Sequence, residues 1–393
     1  MQKSEAAVIL MLKNFNDIRF LFPKEIDIDN FITISPIEPF AEESVEFLNA
    51  LSLVLNKDQR TKNYPDVATF AFFCRKANIL QLKKKYYQEG NLRLGRGILF
   101  HIAPSNVPVN FAYSLICGIL SGNINIVRVP SKNFEQIEII GDAIQKLSQE
   151  QKYQSYSSRS LLIRYDHQSD ATAYFSSICD VRIIWGGDAT IEEIRKNKLP
   201  PRSFDVTFAD RYSLCVINAD KFINEPSPEK TASGFYNDTY LFDQNACTSP
   251  HLVVWLGREE NVKKAKTIFW GKLHETAKLK YQVQPVIAVD KLTSFYNQTA
   301  QSEYVRKTDA PDNLIWRTEL KDLPKNIDEY RCTSGYFSEY HASSIFEISK
   351  IIDRKYQTLS YYGIEKDDLI KFITQIKPNG IDRIVPIGKA NDF

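Results

Sequence analysis

The stretch GRGILFHIAPSNVPVNFAYSLICGILSGNINIVRVPSK, residues 95–132, decides how this chain is read. Between Gly97 and Val127 it contains no Asp, Glu, Lys or Arg. A bilayer span needs about 20 apolar residues, so length alone would admit one here. Pro104, Asn106, Pro108, Asn110, Asn123 and Asn125 instead divide the stretch into three pieces. Gly97–Ala103 is an apolar run of strand length, Val109–Leu120 has helical length with most faces apolar, and Ile124–Val129 is a second strand. A β-α-β unit explains the missing charges, because strands of a parallel sheet are covered on both faces. The reading therefore predicts no transmembrane segment.

The same alternation runs on downstream. A helix over Glu135–Leu147 and a polar link over 151–160 lead to a strand over 161–165 and a helix over Ala171–Ser177. A strand over 181–187 then opens into a helix from Asp188. Strands and helices in that order predict an open parallel α/β sheet. A second region opens at Ser213–Ile217. It continues through a helix around Pro228–Phe242, a strand over Leu252–Leu256 and a long helix over Glu259–Ala277. Gln298–Asn313 reads as a polar loop and Ile345–Tyr356 as a helix. Upstream, residues 1–90 read as mostly helical, with a single helix from Pro65 to Tyr87 and proline in its first turn. The Lys83–Lys85 run reads as a solvated helix face rather than an anion site. The apolar run Ala6–Leu12 is followed by Lys13 rather than a small-residue cleavage site, which favours an amphipathic helix beginning after Ser4 over a signal peptide.

With 393 residues the chain has room for two domains, and 50 Lys+Arg against 48 Asp+Glu leave a net charge of only +2. Near neutrality argues against a dedicated nucleic-acid or anionic-membrane binder. The six cysteines (74, 117, 179, 215, 247, 332) are scattered without a CxxC. They predict neither a disulfide framework nor a zinc site, but reduced thiols in a cytoplasmic protein. The five histidines show no metal-ligand spacing.

Neither G-x-G-x-x-G nor G-x-x-x-x-G-K-[ST] occurs. Trp185-Gly186-Gly187-Asp188 follows a strand and opens a helix, where backbone N–H groups can hold a phosphate; on this motif alone a plain strand-to-helix turn is the favoured reading. Cys247 lies in Asp243-Gln244-Asn245-Ala246-Cys247-Thr248-Ser249-Pro250, a small polar loop before a strand. A nucleophilic cysteine needs partial exposure and local dipoles or cations, and this loop suits it better than the other five positions. Cys74, Cys117 and Cys215 lie in apolar contexts where the thiol is inert packing. From position alone, Cys247 as nucleophile and as bystander both stand. His101, inside a strand, reads as a satisfied core group. His251, four residues beyond Cys247, reads as its base or as a surface residue closing the loop. Asn106 reads as an N-cap or turn asparagine, or as an amide donor to an oxyanion.

Four segments together resemble the aldehyde dehydrogenase superfamily, and within it the LuxC-like long-chain acyl-CoA reductases. They are residues 95–132, IIWGGDATIEEIRKNKLPPRSFDVTFADRYSLCVIN (183–218), FYNDTYLFDQNACTSP (235–250) and GIDRIVPIGKA (380–390). The resemblance implies two open α/β domains, a Rossmann-like cofactor domain and a catalytic domain, with a cleft between them. It implies boundaries of 1–212 for the helical region and cofactor domain, 213–379 for the catalytic domain and 380–393 for a C-terminal return segment. It further implies that Cys247 forms a thioester with the acyl group and that Asn106 stabilises the oxyanion. Pro104, Ser105, Arg128, Ser131, Gly186 and Gly187 fall where the family contacts a nicotinamide cofactor. Arg128 stands near the position of a usual lysine and favours NADPH over NADH, since arginine grips a phosphate with two N–H groups.

Where hydrolytic members carry a glutamate base, this chain reads Phe208-Ala209-Asp210-Arg211-Tyr212. Without that carboxylate, exchange with a thiol is favoured over attack by water. A second glutamate of the superfamily has only Glu339 as a candidate, and the family usually extends past the segment that here ends at Phe393. The expected activity is reduction of an acyl-CoA, or an acyl group on a carrier or acyl-transferring protein, to an aldehyde by a cytoplasmic homo-oligomer. The alternatives are a hydrolytic or CoA-independent aldehyde dehydrogenase, an acyltransferase, and a non-catalytic assembly subunit.

Overall fold

Two α/β units divide the chain, Met1–Asp210 and Arg211–Phe393. The computed structural model describes residues 17–392 apart from 25, 89, 302 and 311, so the helix expected after Ser4 falls largely outside the described residues.

The first unit is built on a six-stranded sheet of order β1-β4-β3-β2-β5-β6. Its strands are β1 (Arg19–Phe22), β2 (Ile98–Ile102), β3 (Ile124–Arg128), β4 (Ser160–Arg164), β5 (Val181–Gly186) and β6 (Phe204–Ala209). All neighbours run parallel except the edge strand β1, which is antiparallel to β4. The 95–132 stretch is the expected β-α-β unit, with α4 (Asn110–Leu120) joining β2 to β3. Alternation along β3 explains its apolar positions, Ile124 and Ile126 entering one core and Val127, with Val129 just beyond the strand, the other; Arg128 ends the strand. One face is covered by α1 (Glu42–Lys57), α2 (Pro65–Phe73), α3 (Lys76–Tyr86), α4 and α5 (Glu135–Ser148). The other is covered by α6 (Ala171–Ile178) and α7 (Asp188–Arg195).

The single helix expected over Pro65–Tyr87 is two, because the chain leaves helical geometry at Arg75, which turns to extended backbone and becomes the N-cap of α3. Lys84 and Lys85 stand exposed on α3, as a solvated face requires.

The second unit carries a seven-stranded sheet of order β13-β12-β7-β8-β11-β10-β9. These are β7 (Tyr212–Asn218), β8 (Pro250–Leu256), β9 (Val305–Asp309), β10 (Trp316–Leu320), β11 (Tyr336–Ala342), β12 (Tyr356–Tyr362) and β13 (Arg383–Pro386). Only the β9–β10 pair is antiparallel. Helices α8 (Pro228–Thr239) and α9 (Glu259–Lys280) pack on one face, and α11 (Lys366–Ile376) on the other. Two expectations fail here. The polar stretch 298–313 is the end of α10 (Pro285–Gln301) followed by β9, a polar edge strand rather than a loop. The helix expected over Ile345–Tyr356 is a short 3-10 turn, Ile345–Lys350, leading to β12. Its Ile345, Ile348 and Ile351 lie three residues apart and all point into the core, a period that suits a 3-10 turn as well as an α-helix.

Candidate active site

Seven of the eight candidate residues collect at one edge of the first sheet. Pro104, Ser105 and Asn106 follow β2, Arg128 ends β3 with Ser131 just beyond, and Gly186 and Gly187 follow β5. These strands are parallel neighbours in the order β3-β2-β5, so all three loops leave from their carboxyl ends. The Ala103 N–H bonds the Arg128 carbonyl at 3.1 Å and ties two of the loops together. From β2 the chain steps to β3 and β4 on one side, then returns to β5 and β6 on the other. That reversal is a topological switch point, where open α/β sheets bind their ligands.

The local chemistry suits an anionic ligand in part. Gly187 is the N-cap of α7 without a side chain to bond the first-turn amides, and a Cβ there would meet nothing within 4 Å. Asp188 in the first turn opposes an anion, so the amides rather than net charge would hold it. Ser105, Asn106 and Ser131 are exposed. The Asn106 side chain forms no hydrogen bond with the described residues, and Val109 is the residue that precedes α4, so the N-cap reading fails. Arg128 is 8% exposed; its guanidinium lies 4.7 Å over the Tyr165 ring, Nη2 donates to the Tyr165 carbonyl, and the buried Nε has no partner among the described residues. His101 is the satisfied core group expected, bonded to Ser114 and Asn125.

Cys247 belongs to the second unit, in the loop between α8 and β8. The loop leaves the 3-10 turn Tyr240–Phe242 through two left-handed residues, Asp243 (φ 51°) and Gln244 (φ 60°). A left-handed glutamine is unfavourable by itself, and its side chain compensates. Fully buried, Gln244 donates from Nε2 to the Pro250 and Tyr336 carbonyls, each at 3.0 Å. Its Oε1 accepts from the Gly335 and Tyr336 N–H groups at 2.8 and 3.1 Å. Gly335 has no alternative at this contact: it sits at φ 93°, and a Cβ would fall 2.3 Å from the Leu314 carbonyl. Further along, Ser213 Oγ donates to the Cys247 carbonyl at 2.7 Å and Ser249 Oγ to the Asp238 carbonyl at 2.8 Å. The Asp238 carboxylate accepts from the Gly388 and Ala390 N–H groups, and Thr248 bonds Asn391, so the C-terminal segment fastens the same loop.

The Cys247 side chain is partly exposed at the amino edge of the sheet, among the starts of β7, β8 and β12. Burial holds its thiol above the ordinary value; the N–H groups of Cys247 and Thr248, the Arg211 charge and the Gln357 amide offset only part of that rise. Arg211 is a finding in its own right. In the stretch read as lacking a base, the chain supplies a cation to the sulfur, which favours a thiolate and cannot activate water.

Other thiols and candidates separate cleanly. Cys74, Cys179, Cys215 and Cys332 are buried, whereas Cys117, expected as packing, is exposed on α4. His251 is neither a surface residue nor shown bonded to Cys247. It is buried in β8, stacked on Tyr212 and bonded to the Cys332 backbone, and burial lowers its pKa to about 4. Glu339 accepts from the Trp255 and Trp270 indoles at 2.9 and 2.8 Å and lies 3.7 Å from Lys266 and Arg317. Its carboxylate is consumed by the core and is unavailable to a ligand. Among the described residues no cluster of His, Cys, Asp and Glu could hold a metal ion, and no helix is long and apolar enough to cross a membrane.

Comparison with known proteins gives these features a context. The model of the family described as acyl-CoA reductase (LuxC) matches residues 76–393. A long-chain acyl-protein thioester reductase of Aliivibrio fischeri is 26% identical over 308 residues, covering 76% of this chain and 60% of the relative. Its counterpart in Vibrio harveyi is 24% identical over 305 residues, with 76% and 60% covered. The chain thus spans about three fifths of the length of these curated relatives. Among solved structures, aldehyde dehydrogenase 21 of Physcomitrella patens superposes with a TM-score of 0.64 at 11% identity, over 91% of this chain and 81% of that one. An NAD-dependent benzaldehyde dehydrogenase of Corynebacterium glutamicum gives 0.62 at 11% identity, over 95% and 91%. At such identities the likeness establishes the aldehyde-dehydrogenase fold.

Proposed function

The chain belongs to the LuxC family of acyl-CoA reductases, and on that premise we propose that it converts a fatty acyl thioester to an aldehyde through an acyl-cysteine at Cys247. The observation that carries the reading is the Cys247 loop: a partly exposed sulfur on a tightly bonded frame, where the N–H groups of Cys247 and Thr248 and the Arg211 charge oppose the effect of burial on the thiol. The thiolate attacks the thioester carbonyl, the C–S bond of the donor breaks, and the donor thiol leaves with a proton. Asn106, whose amide has no partner among the described residues, donates to the oxyanion formed on the way. A bound nicotinamide supplies the hydride that releases the acyl group as aldehyde. The α7 amides behind Gly187, together with Pro104, Ser105, Arg128, Ser131 and Gly186, would hold that cofactor. The switch point between β2 and β5 supports this assignment.

The charge of Arg128 at the carboxyl end of β3 supports NADPH over NADH. The printed names of the relatives support a protein-bound as well as a CoA-bound acyl group as donor, and self-association into a homo-oligomer belongs to the same proposal. Arg211 in place of a carboxylate disfavours the hydrolytic alternative. The test is aldehyde formation from long-chain acyl-CoA and from acyl carrier protein, followed by NADPH oxidation. Parent activity that Cys247→Ala abolishes supports the reading, and activity retained by that variant overturns it.

A further inference from the structure

Helix α10 is built inside out. Val286, Val289, Leu292 and Tyr296 are exposed, and the residues it buries fully are Lys291 and Gln298, two turns apart on one face. Both side chains reach the starts of neighbouring strands. Gln298 Oε1 accepts from the Tyr336 hydroxyl at 3.0 Å. Lys291 Nζ donates to the Asn313 carbonyl at 2.6 Å and to the Ser334 carbonyl at 2.5 Å. Asn313 precedes β10 and Ser334 precedes β11, so one side chain joins the two segments. No carboxylate pairs with Lys291 among the described residues, and Asp312, the acid nearby, is bonded to His274 at 2.6 Å. Burial lowers the Lys291 pKa from 10.5 to about 8, which leaves it a cation at neutral pH. A buried cation held by carbonyls costs the fold more than an apolar side chain of that length. Departures of this kind collect at functional sites.

What the cation holds is a peptide plane of the cysteine frame. Ser334 (φ 58°) and Gly335 (φ 93°) are consecutive left-handed residues, bonded to another such pair, Asp243 and Gln244. The Ser334 N–H donates to the Asp243 carbonyl at 2.9 Å. Tyr281 Oη lies 2.5 Å from Asp243 Oδ1 and 2.9 Å from Ser334 Oγ. The Ser334 carbonyl and the Gly335 N–H belong to one planar unit and point in opposite directions. Lys291 binds the carbonyl, and Gln244 Oε1 accepts the N–H at 2.8 Å. Rotation of that unit would withdraw the N–H from Gln244, and the bond to Lys291 opposes it. A carbonyl bonded to an ammonium also leaves its N–H the stronger donor. From Gln244 the loop runs three residues to Cys247.

We propose that Lys291 is a positioning residue for Cys247: its ammonium fixes the Ser334–Gly335 peptide plane, on which the Gln244 anchor of the cysteine loop rests. This rests on Cys247 being the acyl-accepting nucleophile. The test is made in the full chain, below the melting temperature of each variant, with hydrogen exchange at the Ser334 and Gly335 amides and steady-state aldehyde formation as readouts. Lys291→Met keeps a side chain of similar volume and removes the donors. It should exchange both amides about tenfold faster, the loss expected when a charged hydrogen bond is removed. It should also lower kcat about tenfold with KM for the acyl donor unchanged, because the sulfur is displaced while the donor still binds. Lys291→Gln, shorter and uncharged but still a donor, serves if the methionine variant fails to fold, and should lie between it and the parent in both readouts. Folded variants with parent exchange at Gly335 overturn the proposal, and so does faster exchange there with kcat unchanged. The exchange readout needs neither acyl donor nor cofactor, so it judges the clamp by itself, and a parent protein that forms no acyl-Cys247 would refute the reductase reading separately.

Discussion

Replacing Gln244 by alanine tests whether the cysteine loop is a built frame or an incidental turn. The substitution removes four hydrogen bonds, two to carbonyls and two from N–H groups, at a fully buried position. Each buried group left unpaired costs about 1–3 kcal/mol, which would sum to about 4–12 kcal/mol. Water entering the vacated space can restore some of these bonds, so the low end, about 4 kcal/mol, is the expected loss. That is a large share of the about 5–15 kcal/mol that holds a typical domain together. The alanine also inherits the left-handed backbone without compensation. The assay is thermal unfolding combined with hydrogen exchange at the Gly335 and Tyr336 amides, which Gln244 protects directly. The variant should melt several degrees lower, exchange those two amides much faster, and lose more than tenfold in Cys247-dependent turnover. Gln244→Glu should keep both N–H contacts but set a carboxylate oxygen against the Pro250 and Tyr336 carbonyls, and should recover stability as pH falls and the acid protonates. Parent-like melting with both amides still protected in Gln244→Ala would refute the reasoning.

Other expectations concern the first unit and acid stability. Asn106→Ala should lower turnover by about 10²–10³, the effect of losing one oxyanion donor. It should leave the melting temperature unchanged, because Asn106 bonds none of the described residues; a fall in stability without a fall in turnover would return it to a structural role. His101 and His251 are buried and held neutral, each with its pKa lowered from 6.5 to about 4. Depressed folded-state values mean that their contribution, about 3 kcal/mol each, is present above pH 6.5 and is lost as pH falls toward and through 4. Unfolding midpoints measured across that window should fall, and should fall less in His251→Phe, which keeps the ring stack on Tyr212 and cannot titrate. An equal fall in both proteins would mean that other groups control acid unfolding.

The β-α-β unit was legible because its message is carried by local pattern: a charge-free stretch punctuated by Pro and Asn has few ways to fold. The edge strand β9 was not. A polar edge strand shares its composition with a loop, and its pairing with β10 distinguishes them. The break in the helix at Arg75 and the 3-10 turn at Ile345–Lys350 were hidden for a related reason, since apolar spacing does not report backbone winding. Cys247 was legible as the candidate nucleophile from its polar loop, and its neighbours were not. Gln244 lies in the quoted loop, yet its four partner groups belong to Pro250 at the start of β8, Gly335 in the turn before β11 and Tyr336 at the start of β11. Gln357 lies far along the chain, in a bulge beside Ser213 that no periodicity announces. Arg211 was visible only as a missing glutamate. Glu339 shows the converse: a carboxylate that sequence offers to a ligand is spent on two indoles and two cations.

The central claim is that Cys247 accepts the acyl group and gives it up as aldehyde. Intact-mass measurement of the protein after incubation with a long-chain acyl thioester, with and without NADPH, tests it most directly. The account predicts one added acyl mass, mapped to Cys247 and absent in Cys247→Ala, which disappears on addition of NADPH as free aldehyde appears. An adduct that persists in Cys247→Ala, or one that NADPH leaves untouched, would contradict it.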